Sequence, residues 1–132
     1  MKGNIIVKTR AFSPFSILSF AIILAILTIP VFAGMADELK WVDSVPGLGL
    51  IKNKQTSYKV EKEYSMTEPA KSYNQVVKGF QNRGWQTMQG EPSDIPGLYK
   101  YHISKDGYFG KIDADFDDGL YVLEIEIKTA VR

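Results

Sequence analysis

The densest run of chemically active side chains is Asp113-Ala114-Asp115-Phe116-Asp117-Asp118-Gly119, with Glu124 eleven residues after Asp113. Carboxylates at the first, third, fifth and twelfth places match an EF-hand calcium loop, which also needs a glycine at the sixth for its sharp turn. Here the sixth place is Asp118 and the glycine comes one later. Ile112, Ala114 and Phe116 alternate with the acids, and Tyr121, Leu123 and Ile125 alternate on the far side, so both flanks read as strands and not as helices. A solvated hairpin with outward acids is therefore the first reading. A surface cation site drawing on Asp113, Asp115, Asp117, Asp118 and Glu124 is the second.

Other chemistry is sparser. His102 is the single histidine, and one imidazole does not make the usual metal cluster. As a general base it needs a nucleophile and an orienting acid, for which Ser104 and Asp113 are the local choices; strand parity instead turns it outward with Lys100 and Ser104. Glu61, Glu63, Glu124 and Glu126 supply carboxylate pairs of the kind glycosidases use, yet alternate acids on a one-sided sheet serve first to keep its wet face soluble. The chain has no cysteine, no nucleophile elbow and no phosphate-binding glycine loop. No catalytic, cofactor-binding or metal-ligating residue is assigned, and the chain reads as a non-enzyme. Among the aromatic residues Trp85, Tyr99, Tyr101, Tyr108, Phe109 and Tyr121, Phe109 falls on the outer face with Lys111, where an exposed ring can contact a partner.

These side chains are positioned by elements that the pattern makes legible. In Ser57 to Met66, Tyr58, Val60, Tyr64 and Met66 alternate with Lys59, Glu61, Glu63 and Ser65, a half-buried strand in which Lys62 is discordant and is expected at an edge or snorkelling. Thr67-Glu68-Pro69 starts a helix with a hydroxyl cap, an early acid and a proline. Ala70, Tyr73, Val76, Val77 and Phe80 form its apolar stripe, and Arg83-Gly84 closes it. A short strand over Trp85 to Gln89 and a loop over Gly90 to Gly97 follow. Then come strands over Leu98 to Ser104, Tyr108 to Phe116 and Leu120 to Thr129. Asp106-Gly107 is a two-residue hairpin signal, which pairs Lys105 with Tyr108 and sets Tyr101 opposite Ile112 and Lys100 opposite Asp113. Phe116 to Gly119 is expected as a four-residue loop. The sum is an α+β fold, β-α-β-β-β-β: a four- to five-stranded, mostly antiparallel sheet with one helix packed on one face.

The chain has 132 residues and a formal net charge of +1. That size and balance exclude a multidomain enzyme and a basic nucleic-acid binder. The average conceals two parts, because residues 1–33 hold Lys2, Lys8 and Arg10 and no acid, leaving a net −2 on the remainder. An uncharged apolar run from Ile17 to Leu27, then Pro30 and Val31-Phe32-Ala33, has the layout of a signal peptide. Cleavage after Ala33 is the first choice and after Ala36 the second. The competing reading is an uncleaved anchor over residues 15–32. Residues 34–54, interrupted by Pro46, Gly47 and Gly49, are expected as an irregular lead-in to an α+β domain over 55–130.

From Tyr64 through Pro69 to Arg83-Gly84-Trp85, with Val45-Pro46-Gly47 upstream, the chain resembles small uncharacterised exported bacterial envelope proteins, in which a strand leads to a helix closing on Gly-Trp and then an antiparallel meander. The resemblance implies fold and compartment, periplasmic or extracellular, and brings no catalytic residue. The expected function is a non-catalytic binding or scaffold domain of the cell envelope, its partner an envelope protein or ligand and not a nucleic acid. The alternatives are a small-molecule or divalent-cation module built on the acidic hairpin 113–119 and, third, a small hydrolase.

Overall fold

Alternation of apolar and polar residues and a single amphipathic stripe produce six strands and one long helix, seen here in a computed structural model that describes residues 34–129. The chain divides into two units, Met1–Gly34 and Met35–Arg132, and the description below concerns the second. The expected leader over 1–33 and the alternative anchor over 15–32 lie outside the described residues. Among the described residues no helix is long and apolar enough to cross a membrane.

The strands are β1 (Leu48–Gln55), β2 (Lys59–Met66), β3 (Gln86–Pro92), β4 (Tyr99–Lys105), β5 (Tyr108–Asp117) and β6 (Leu120–Thr129); helix α1 (Pro69–Asn82) lies between β2 and β3. They form one sheet in the order β1-β2-β6-β5-β4-β3, with every neighbouring pair antiparallel. The α+β class thus holds, while the expected four to five strands become six and the sheet is antiparallel throughout. The additional strand is β1, inside the stretch expected to be irregular. It lies at the sheet edge, its register shifts between Leu50 and Lys52, and its side chains are almost all exposed. Such a strand has no apolar alternation to betray it.

The inner face carries Val60, Tyr64, Ile112, Leu123, Ile125 and Ile127, all buried, as are Tyr73, Val76 and Phe80 of α1. Ala70, expected in the helix stripe, is exposed, and Ser72 and Gly79 are buried instead. Thr67 does not cap the helix: the N-cap is Glu68, without a side-chain hydrogen bond, and the Thr67 hydroxyl donates to the Gly47 carbonyl at 3.4 Å. Residues 34–38 are helical, a 3-10 helix follows over Lys40–Ser44, and Met35, Leu39 and Val42 of this segment are buried. Trp41 packs edge-on against Phe80 at 5.2 Å, Phe80 in turn meets Trp85 at 5.5 Å, and the Arg83 guanidinium lies 4.1 Å over the Trp41 ring. A Cβ at Gly79 would overlap the Trp41 ring, so the missing side chain is what admits it.

The β4–β5 hairpin has the expected register, Lys105 opposite Tyr108 and Tyr101 opposite Ile112. Its turn residues Asp106 and Gly107 have φ of 51° and 84°, the conformation that suits the twist of the flanking strands. The β5–β6 turn is shorter than the expected four-residue loop. Asp117 pairs with Leu120, and only Asp118 and Gly119, with φ of 51° and 80°, connect them. Side-chain parity survives because both loop lengths are even.

Candidate functional site

One face of the sheet carries α1 and the 35–44 segment, and the other carries cross-strand rows of polar side chains with exposed apolar ones among them. The first row runs Lys59, Lys128, Phe109, Ser104, Gln86. The second runs Lys54, Glu61, Glu126, Lys111, His102, Met88. The third runs Lys52, Glu63, Glu124, Asp113, with Lys100 3.8 Å from Asp113. Glu61, Glu63, Glu124 and Glu126 therefore face outward, as alternation requires.

Like charges directly opposite one another destabilise a sheet, and lysines offset most of that cost. Lys59 bridges Glu61 at 2.9 Å and Glu126 at 3.4 Å, and its hydrogen bond holds the Glu61 carboxyl below the usual range. Glu124, between Glu63 and Asp113, has no such bridge among the described residues. Partial burial, then the charges of Asp115, Glu63 and Asp113, push its carboxyl up. Asp94 is pushed up too, chiefly by its hydrogen bond with Asp115.

At the β3–β4–β5 end of this face, Met88 and Phe109 are exposed beside an open depression of about 530 Å³ lined by Gln86, Met88, His102, Ser104 and Phe109. His102 sits opposite Met88 and Lys111, and Ser104 opposite Phe109. No hydrogen bond joins His102, Ser104 and Asp113 among the described residues, so the three do not form a relay. The outward placement of His102 and Phe109 agrees with strand parity.

The acids of the hairpin are spent differently from a calcium loop. Asp113 Oδ1 accepts from the Ala114 N–H at 2.8 Å, and Asp115 Oδ1 accepts from the Phe116 N–H at 3.1 Å. Ladder pairing between β4 and β5 ends at Tyr101 and Ile112, so these amides have lost their strand partner and the carboxylates replace it. No three acidic, histidine or cysteine side chains among the described residues converge as metal ligands. Phe116 and Tyr121, expected on the covered face, are exposed because the hairpin runs on past its neighbours.

A third polar cluster on the inner side was unpaired in the sequence. Lys62 is buried, with its Nζ 3.1 Å from Asp43 Oδ1, and the Tyr64 hydroxyl donates to the same oxygen at 2.5 Å. Burial pushes the Asp43 carboxyl up, but the hydrogen bonds from Tyr64 and Lys62 and the lysine charge outweigh it, and the net shift is downward. Burial and then Asp43 push the Tyr64 phenol above its ordinary value. The discordance of Lys62 was its only signal, and nothing in the sequence pointed to a partner in the 3-10 helix.

Comparison with family models, with curated proteins and with solved structures finds no match to this chain.

Proposed function

We propose that the chain is a non-catalytic binding or scaffold domain of the cell envelope, exported by its apolar N-terminal segment, which engages a partner through the uncovered sheet face around Phe109. The supporting observation is the exposure of Phe109 and Met88 beside an open depression on a face that no helix among the described residues covers. Exposed apolar side chains grouped at one place are what a contact surface needs. An enzyme needs a concave site with converging acid and base groups, and His102, Ser104 and Asp113 do not converge. The divalent-cation reading is weaker because Asp113 and Asp115 each commit an oxygen to the backbone. Export rests on Lys2, Lys8 and Arg10 ahead of the run Ile17 to Leu27, the signal-peptide layout.

Pull-down from envelope extract with the wild type, Phe109→Ala and Asp115→Ala tests the assignment. Loss of a specific partner with Phe109→Ala alone supports it. A partner list unchanged by Phe109→Ala overturns it.

A further inference from the structure

We propose that the tip of the β5–β6 hairpin is a docking element for an extended protein segment in which Lys or Arg alternate with apolar residues. The site differs from the depression around Phe109, and the two assignments fail independently.

Projection is the first ground. Pairing of β2 with β6 ends at Ser65 and Val122, and pairing of β4 with β5 ends at Tyr101 and Ile112, whereas β5 and β6 stay paired to Asp117 and Leu120. The last turn of the hairpin therefore stands beyond the sheet. Its apolar side chains are the second ground. Phe116, Leu120 and Tyr121 are 52%, 50% and 41% exposed, and the two rings lie 5.0 Å apart. A two-residue turn needs none of these side chains for its geometry, and exposed aromatic anchors are the usual centres of protein contacts.

Charge selects the occupant. Residues 113–118 carry Asp113, Asp115, Asp117 and Asp118 and no base. Lys100, the cation that bridges Asp113 at 3.8 Å, is also engaged by Glu91 at 3.3 Å. An anionic bilayer or a nucleic acid meets repulsion there, and an uncharged apolar segment leaves the carboxylates without a counter-charge. The β5–β6 register puts Asp113, Asp115, Asp117 and Leu120 on one face of the hairpin and Phe116 and Tyr121 on the other. An extended segment lying along the hairpin, with cations alternating with apolar side chains, therefore presents one set to each face, the charges setting encounter rate and salt dependence. The mode is also defined. Because the Ala114 and Phe116 amides are already bonded to Asp113 and Asp115, this edge does not recruit a strand, and recognition is by side chains.

The test uses a fluorescent synthetic peptide of alternating Lys and Leu, with a Glu and Leu peptide as its counterpart. The chain is used as recovered from expressing cells, in zwitterionic nanodiscs if the apolar N-terminus is retained, with empty discs as blank. Saturable binding of the Lys peptide that weakens with salt is expected. It should weaken at least tenfold in Phe116→Ser/Leu120→Ser and in Asp115→Asn/Asp117→Asn, and stay within twofold in Phe109→Ala. Circular dichroism melts confirm that the variants fold; Asn at 115 keeps an oxygen for the Phe116 amide. Absence of saturable binding, equal binding of the Glu peptide, or wild-type affinity in either tip variant overturns the proposal.

Discussion

Lys62 illustrates how one side chain out of pattern reports on a distant segment. In an alternating strand its place belongs to an apolar residue, and the structure keeps a lysine there by bringing Asp43 to it. Removing Asp43 leaves the buried Lys62 charge without compensation, whereas an apolar residue of similar volume at 62 leaves Asp43 half-exposed and still bonded to the Tyr64 hydroxyl. Asp43→Ala is therefore expected to destabilise by about 1–3 kcal/mol, and Lys62→Met to be near neutral, as read by urea unfolding. The pH dependence has a definite sign. The Asp43 carboxyl is held below its ordinary value, so its contribution is present above about pH 3.9 and is lost as pH falls through the lowered folded value. The stability gap between wild type and Asp43→Asn should therefore shrink from pH 6 towards pH 2. The anomaly at Lys62 was legible in the sequence, but its partner was not, because Asp43 lies in a segment broken by Pro46 and two glycines, with no period to place it.

At the scale of elements, the register of β4 against β5 was legible because Asp106-Gly107, side-chain parity and the Lys100–Asp113 charge pair all agreed. The second turn was misjudged by length. Parity admits any even loop length, so it did not separate a four-residue loop from the two-residue Asp118-Gly119 turn, in which Asp117 belongs to the strand. Strand β1 was illegible for a different reason: an edge strand with a bulge and exposed side chains owes its shape to its neighbour. Tyr73 shows how α1 fixes the sheet. Its hydroxyl lies 2.6 Å from the Tyr99 carbonyl and 3.0 Å from the Ile112 carbonyl, where the β4–β5 ladder stops, so the helix supplies the donor the strands no longer exchange. Burial pushes this phenol above its ordinary value. Tyr73→Phe should cost about 1–2 kcal/mol. Faster amide exchange should be confined to the residues around Tyr99 and Ile112, while the β4–β5 pairs nearer the Asp106-Gly107 turn keep their protection.

For the whole molecule, the class and the one-sided sheet followed from alternation and a single amphipathic helix, while the surfaces that matter for binding did not. Sequence parity put Phe116 and Tyr121 inward and could not reveal that the hairpin outruns both neighbours, since the ends of ladders depend on strands far apart in the chain. The strand order has a further bearing, on which strand the sheet can least spare. Strand β6 lies between β2 and β5, and among the described residues it is the sole link within the sheet by which β1 and β2 join the other three strands. A lone two-stranded hairpin is at best marginally stable in water, so the β1–β2 pair depends on β6 as its partner in the sheet. A chain ending at Gly119 should show no cooperative thermal transition, although it retains five of the six strands. One ten-residue strand thus carries the continuity of the sheet, and a lesion in it should unseat both flanks together, where the same lesion in either edge strand should loosen only that edge.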